Sequence, residues 1–172
     1  MIYTGQSAID YLASKVHESD PGSSSHWQKY HSAFNFKGDG FKGLEGFGGC
    51  SHPPVGLRSL AHQLLQLRFR KMGKSFPSFN SVDREAKNIT ASQNRHYDLD
   101  VLRQTLSVSF LYTNIPATLK SSSMACVIGD GFSSMTSLLL ATKSAGCVVL
   151  VNLTKILLVD LWYLKLSVSR RF

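Results

Sequence analysis

Apolar residues recur at intervals of three and four along much of this chain, and that spacing predicts its first helices. Ile9, Leu12, Ala13 and Val16 share one stripe over residues 5–18, with Thr4 or Ser7 as a cap. Leu57, Leu60, Ala61, Leu64 and Leu67 repeat in the same way and predict a helix over 57–72, with Gly73 as its stop. Residues 82–94 read as a polar, exposed helix. A more apolar helix follows over 98–113, with Leu99, Leu102, Leu106 and Phe110 on its stripe and Ile115-Pro116 as its end.

Between the first two helices the pattern breaks. Ser19 to Gly56 holds eight of the thirteen glycines, three of the five prolines and six aromatic residues, so it is too aromatic for a linker. It reads as an ordered, loop-rich layer packed on something else. After residue 120 the pattern changes once more. Met124–Ile128 is a short apolar run, 133–144 a helix, Cys147–Val151 a β-branched run and 156–166 a second apolar helix. Strand, glycine turn, helix, strand, helix is a βαβα unit, the building block of a parallel sheet.

Glycine pairs occur twice, as GDGF at Gly38–Phe41 and at Gly129–Phe132. The first copy satisfies G-x-G-x-x-G through Gly38, Gly40 and Gly43, but no strand leads into it and no helix follows, so it reads as a structural turn. The second follows the run MACVI and precedes SSMTSLLLATKSAG, the context a strand-to-helix cofactor loop requires. Its third glycine is replaced by Ser133 or Ser134, either of which can cap the helix. Asn152 ends the second strand, where nucleoside-binding sheets place an acid for the ribose hydroxyls. An asparagine can hydrogen-bond a hydroxyl without carrying that charge. The nearest downstream acid, Asp160, falls inside the following helix.

Composition narrows the classes. With 172 residues, 43% apolar and 17% charged, the chain is one globular domain by default. The net charge of +8 comes from scattered residues. The one dense group, Arg58, Arg68, Arg70, Lys71 and Lys74, reads as the solvated face of a helix, so a nucleic acid is not the expected partner. Three cysteines without a CxxC spacing indicate neither disulfide nor zinc site, and no metal is expected. Cys126 and Cys147 lie in apolar runs and read as small hydrophobes. The N-terminus lacks a signal-peptide pattern, so a cytoplasmic location is expected. Cys147–Leu166 has the length of a membrane span but carries Asn152, Lys155, Asp160 and Lys165. Each central charge costs about 2.5–3.5 kcal/mol on insertion, so a buried strand and helix are expected instead of a membrane segment.

VIGDGFSSMTSLLLATKSAG with VVLVNLTKILLVDLWYLK resembles the sugar O-methyltransferase family, a group within the class I S-adenosylmethionine-dependent methyltransferases. The upstream stretches GDGFKGLEGFGG, GLRSLAHQLLQLRFRKMG and YDLDVLRQTL are similar to that family's N-terminal region. The similarity runs from about Trp27 to Leu166. It implies an α/β fold, with a helical, loop-rich N-terminal region over 1–120 and an incomplete Rossmann-like half over 121–172. It implies S-adenosylmethionine as cofactor. Gly129, Asp130 and Gly131 would line its methionine and ribose parts, and Asn152 would approach the ribose; Ser133 is the expected cofactor-binding residue in the last place of the loop, with Ser134 as the alternative fit. The chain departs from the wider pattern at Val127 and Asn152, where acids are common.

A class I methyltransferase places further strands after this point, so the chain is expected to be a truncated N-terminal part, with open sheet edges able to self-associate. The expected reaction is methyl transfer to a hydroxyl, on a sugar acceptor. None of the six histidines has a motif around it, and His62 and His96 read as structural, so no catalytic residue is assigned. The alternatives are a non-catalytic binding module and a nicotinamide-dependent oxidoreductase. The latter would require the third glycine and the acid.

Overall fold

The computed structural model of the chain describes residues 4–18, 23–25, 28, 33–44 and 56–168, with the backbone alone at 57–59, 62 and 168. Cys50 and Trp27, with most of the segment from Ser19 to Gly56, lie outside the described residues. In chain order the elements are α1 (Gln6–Lys15), β1 (Asn35–Phe36), β2 (Phe41–Lys42), α2 (Leu57–Gly73), α3 (Phe79–Ser92) and α4 (Leu99–Asn114). A 3₁₀ turn (Pro116–Thr118) leads to β3 (Met124–Ile128), α5 (Ser134–Ala141), β4 (Cys147–Val151) and α6 (Thr154–Val168). The chain is thus a mixed α/β protein.

Two apolar clusters hold it together. In the first, Ile9 and Val16 of α1 and its end pack with Phe34, Phe132, Ile156, Leu158 and Val159. The first glycine pair belongs here. It forms an antiparallel hairpin of β1 and β2, with the Lys37 N–H donating to the Gly40 carbonyl at 3.0 Å. Phe36 and Phe41 of that hairpin meet Trp162 of α6 edge-on, at centroid distances of 5.5 and 5.9 Å. The described part of the aromatic segment is therefore a layer packed on α6, and this glycine pair is a turn.

The second cluster joins α3, α4 and α5 to one face of the sheet. Val82, Ala86, Ile89, Val101, Val108, Leu138 and Leu139 are buried there, with Ala125, Val127 and Val148 of the strands against them. β3 and β4 pair in parallel, from Met124 opposite Cys147 to Ile128 opposite Val151, and α5 makes the crossover between them. Period-2 alternation sends Met124, Cys126, Ile128, Cys147, Val149 and Val151 to the other face. That face is exposed, Ile128 by 78%. The two thiols expected inside are therefore outside.

Burial reverses two expectations among the helices. α2 was expected to bury its leucine stripe, yet Leu60, Leu64, Leu65, Leu67, Phe69 and Met72 all face outward, Leu64 with 58% of its surface exposed. Among its described side chains the inward ones are polar, Gln66 buried and Arg70 half-buried. Gln66 donates to the Tyr97 carbonyl at 3.1 Å, and Arg70 donates to both oxygens of Asp83 at 2.9 and 3.0 Å. Arg70 thus leaves the expected solvated face, because a buried carboxylate requires a partner. α3, expected to be exposed, buries Phe79, Val82, Asp83, Ala86, Ile89 and Thr90. In α4 the buried residues are Val101, Leu102, Thr105, Val108 and Ser109; of the expected stripe Leu102 is buried, Leu99 and Leu106 are half-buried and Phe110 is exposed. α6 is 15 residues long, and no helix among the described residues is long and apolar enough to cross a membrane.

Candidate functional site

β3 delivers the chain into a tight turn at Gly129–Ser133, and α5 begins at Ser134. Gly129 and Gly131 have φ of 69° and 65°, the left-handed region that glycine enters without a Cβ penalty. Phe132 and Ser133 share that region at 62° and 50°. For such residues it costs about 1–3 kcal/mol each and persists only where surroundings enforce it.

Those surroundings are specific. The Phe132 ring is buried, with the Arg95 guanidinium 4.0 Å from its centroid and Tyr163 edge-on at 5.1 Å. Gln93 donates to the Phe132 carbonyl at 3.3 Å and to the Tyr163 carbonyl at 3.2 Å. Ser133 is held by Asp160 of α6. The Ser133 N–H donates to the Asp160 carboxylate and its hydroxyl to the Asp160 carbonyl, both at 2.8 Å.

Ser133 therefore does not cap α5 with its side chain, as the sequence had indicated. Asp130 does so. Its two oxygens accept from the Met135 and Thr136 N–H groups at 2.9 and 2.8 Å. A carboxylate there satisfies two orphan donors and opposes the positive end of the helix dipole. Burial pushes the Asp130 carboxyl up, against the pull of those amides and of Arg95.

The end of β4 meets the same loop. The Gly129 N–H donates to the Val151 carbonyl at 3.0 Å. The Asn152 amide donates to Asp160 at 2.8 Å, and its oxygen accepts from the Leu153 N–H at 3.0 Å. Gly129, Asp130, Gly131, Ser133 and Asn152 are thus brought together, four in the turn and one beside it. Burial, then the charge of Asp130, lifts the Asp160 carboxyl to about 7.

Asp160, expected only as the nearest acid downstream of Asn152, completes the arrangement with Arg95 and Gln93, which the sequence did not mark. Arg95 is 7% exposed, and it donates to Gln93 at 3.1 Å and to the Ser134 hydroxyl at 3.3 Å. A lone acid inside ILLVDLWYL was the one available signal, because an acid in an apolar helix must bond to something. Nothing in the turn QNRHYD distinguishes Arg95. Among the described residues, no group of His, Cys, Asp or Glu is arranged to hold a metal.

Beside the turn lies an open cleft of about 360 Å³, lined by Gln104, Leu119, Val127, Gly129, Asp130 and Met135 among others. Phe132 does not line it, because its ring turns into the first core cluster. No protein-family model, curated protein or solved structure matches the chain.

Proposed function

We propose that the chain is an S-adenosylmethionine-binding protein of the methyltransferase type, with 121–172 as a Rossmann-like half and a sugar hydroxyl as methyl acceptor. The observation that carries this reading is the way the second glycine turn is filled. Strand, turn and helix follow in the order a nucleoside loop needs, with a cleft at Gly129 and Asp130. Three of the amides that would cradle a pyrophosphate are already taken. Asp130 accepts two of them and Asp160 accepts that of Ser133. A dinucleotide's pyrophosphate would find those donors occupied, whereas an adenosyl group without phosphates does not need them. This favours the methyl donor over a nicotinamide cofactor.

When bound, S-adenosylmethionine supplies an electrophilic methyl group. The residues of this chain would contribute position. Gly129 and Gly131 allow close backbone approach, Asn152 offers an amide to the ribose, and Asp160 with Arg95 keeps the turn rigid. Such alignment of an acceptor oxygen with a methyl carbon is the main catalytic device available. A second reading, a non-catalytic binding module, is favoured by the exposed apolar face of the two-stranded sheet.

Calorimetric titration of the full chain with S-adenosylhomocysteine and with NAD tests both. Saturable binding of the first and none of the second is the expected result. Preference for NAD overturns the reading, and a folded chain that binds neither favours the module.

A further inference from the structure

α2 is held to the rest of the chain by a narrow side. Gln66 reaches the Tyr97 carbonyl and Arg70 reaches Asp83. Gly73 lies so close to the Phe79 ring that a Cβ there would fall 2.5 Å from it. Everything else points away. At 3.6 residues per turn, the exposed Leu60, Leu64, Leu65, Leu67, Phe69 and Met72 spread over more than half of the helix circumference. Arg68 and Lys71 stand exposed within that apolar arc, and Lys74 follows just past the last turn. No Asp or Glu occurs between Leu57 and Lys74.

The apolar surface continues beyond the helix. An open groove of about 620 Å³ runs from Met72 and Phe76 to Leu106, Phe110 and Leu111 of α4. The Phe76 and Phe110 rings meet edge-on there at 6.1 Å. Asp100, the acid of α4, is paired with Arg103 at 3.2 Å. A contiguous apolar surface of this kind marks a site of contact. A second copy of the chain would set this patch against itself, cations facing cations with no carboxylate between them. A protein partner would need a groove that encloses a ridge on more than half of its circumference. A lipid surface is fluid and closes around such a ridge, and its phosphates meet the cations.

We infer that α2 lies in the interface of an anionic lipid membrane, with its leucines, Phe69 and Met72 at the acyl boundary and Arg68, Lys71 and Lys74 at the lipid phosphates. The long stems of those three residues cover apolar surface while their charged heads reach outward. The helix rests on the membrane without crossing it, since no helix among the described residues is long and apolar enough to cross. This inference does not depend on the adenosyl reading.

Flotation of the full chain with lipid vesicles tests it. Vesicles of equal parts phosphatidylcholine and phosphatidylserine should carry the chain with them, and strong salt should release it. Vesicles of phosphatidylcholine alone should not carry it. Lys71→Gln should weaken binding about fivefold, the worth of one cation at a charged surface. Leu64→Ser should weaken it about tenfold, because one aliphatic side chain no longer leaves water. Both positions are exposed, so both variants should keep the wild-type melting temperature. Should Leu64→Ser not fold, Leu60→Ser takes its place. Loss in Lys71→Gln without loss in Leu64→Ser overturns the inference, because any soluble polyanion would then serve as well. Equal binding to the two kinds of vesicle overturns it, as does a folded chain that binds neither. A solution dimer that Leu64→Ser disperses, without vesicle binding, assigns the face to a second copy and overturns it too.

Discussion

Helices α2 and α3 are neighbours in the chain and opposites in burial. α2 carries more large apolar residues, yet it turns them outward and docks through Gln66 and Arg70. α3 is rich in Asn, Asp, Arg and Lys, yet six of its residues are buried and Val82 retains 1% exposure. The difference lies in what each helix has to bind. Asp83 of α3 is a buried carboxylate, and it draws Arg70, Lys87 and Tyr97 to within 2.9, 2.7 and 2.7 Å. Satisfying that charge sets the rotation of α2, and its leucines follow. A periodic apolar stripe shows that a helix has a distinct side. It does not show which side the neighbours will prefer.

Three substitutions probe that contrast, in order of expected effect. Ile89→Ala in α3 should cost about 2–5 kcal/mol in urea denaturation, the range for truncating a buried aliphatic side chain. A loss under about 1 kcal/mol would mean that α3 is not core. Asp83→Asn should cost about 1–3 kcal/mol, since Arg70 and Tyr97 lose a charged acceptor. Burial alone would raise the Asp83 carboxyl. Lys87, Tyr97 and Arg70 outweigh it and hold the group below its usual value. Its stabilising contribution is therefore complete above the ordinary carboxylate range and is lost as pH falls through the lowered value. The variant should lack that acid-side loss in melting curves taken across pH. Leu64→Ser in α2 should change stability by no more than about 0.5 kcal/mol, as at other exposed positions. A loss near that of Ile89→Ala would show the outward leucines to be covered in solution, and the contrast would dissolve.

The same logic explains what the sequence disclosed. The runs Met124–Ile128 and Cys147–Val151 became β3 and β4 over the same residues, because a β-branched run between glycine turns leaves few alternatives. The strand-to-helix turn at the second glycine pair was legible from its context, and so was the place of Asn152 directly after β4. The cap was not. Ser133 has the composition of an N-cap, but Asp130 reaches the amides of Met135 and Thr136 across the turn. That outcome depends on the positive φ of four of the five turn residues rather than on letters, since Gly129, Gly131, Phe132 and Ser133 all bend the chain back. Asp160 meets Ser133 across 27 positions and Arg95 meets Ser134 across 39, distances no local pattern spans.

The capping of α5 by Asp130 has one more consequence. The positive pole of that helix is answered from within the chain, and the two ionisable groups beside it, Arg95 and Asp160, are buried. The neighbouring cleft therefore projects little field into solvent. Long-range steering of ions, and the ionic-strength dependence that accompanies it, should be weak there. Whatever settles in that cleft is chosen by shape and by individual hydrogen bonds, and its grip should be nearly the same in dilute buffer and in strong salt.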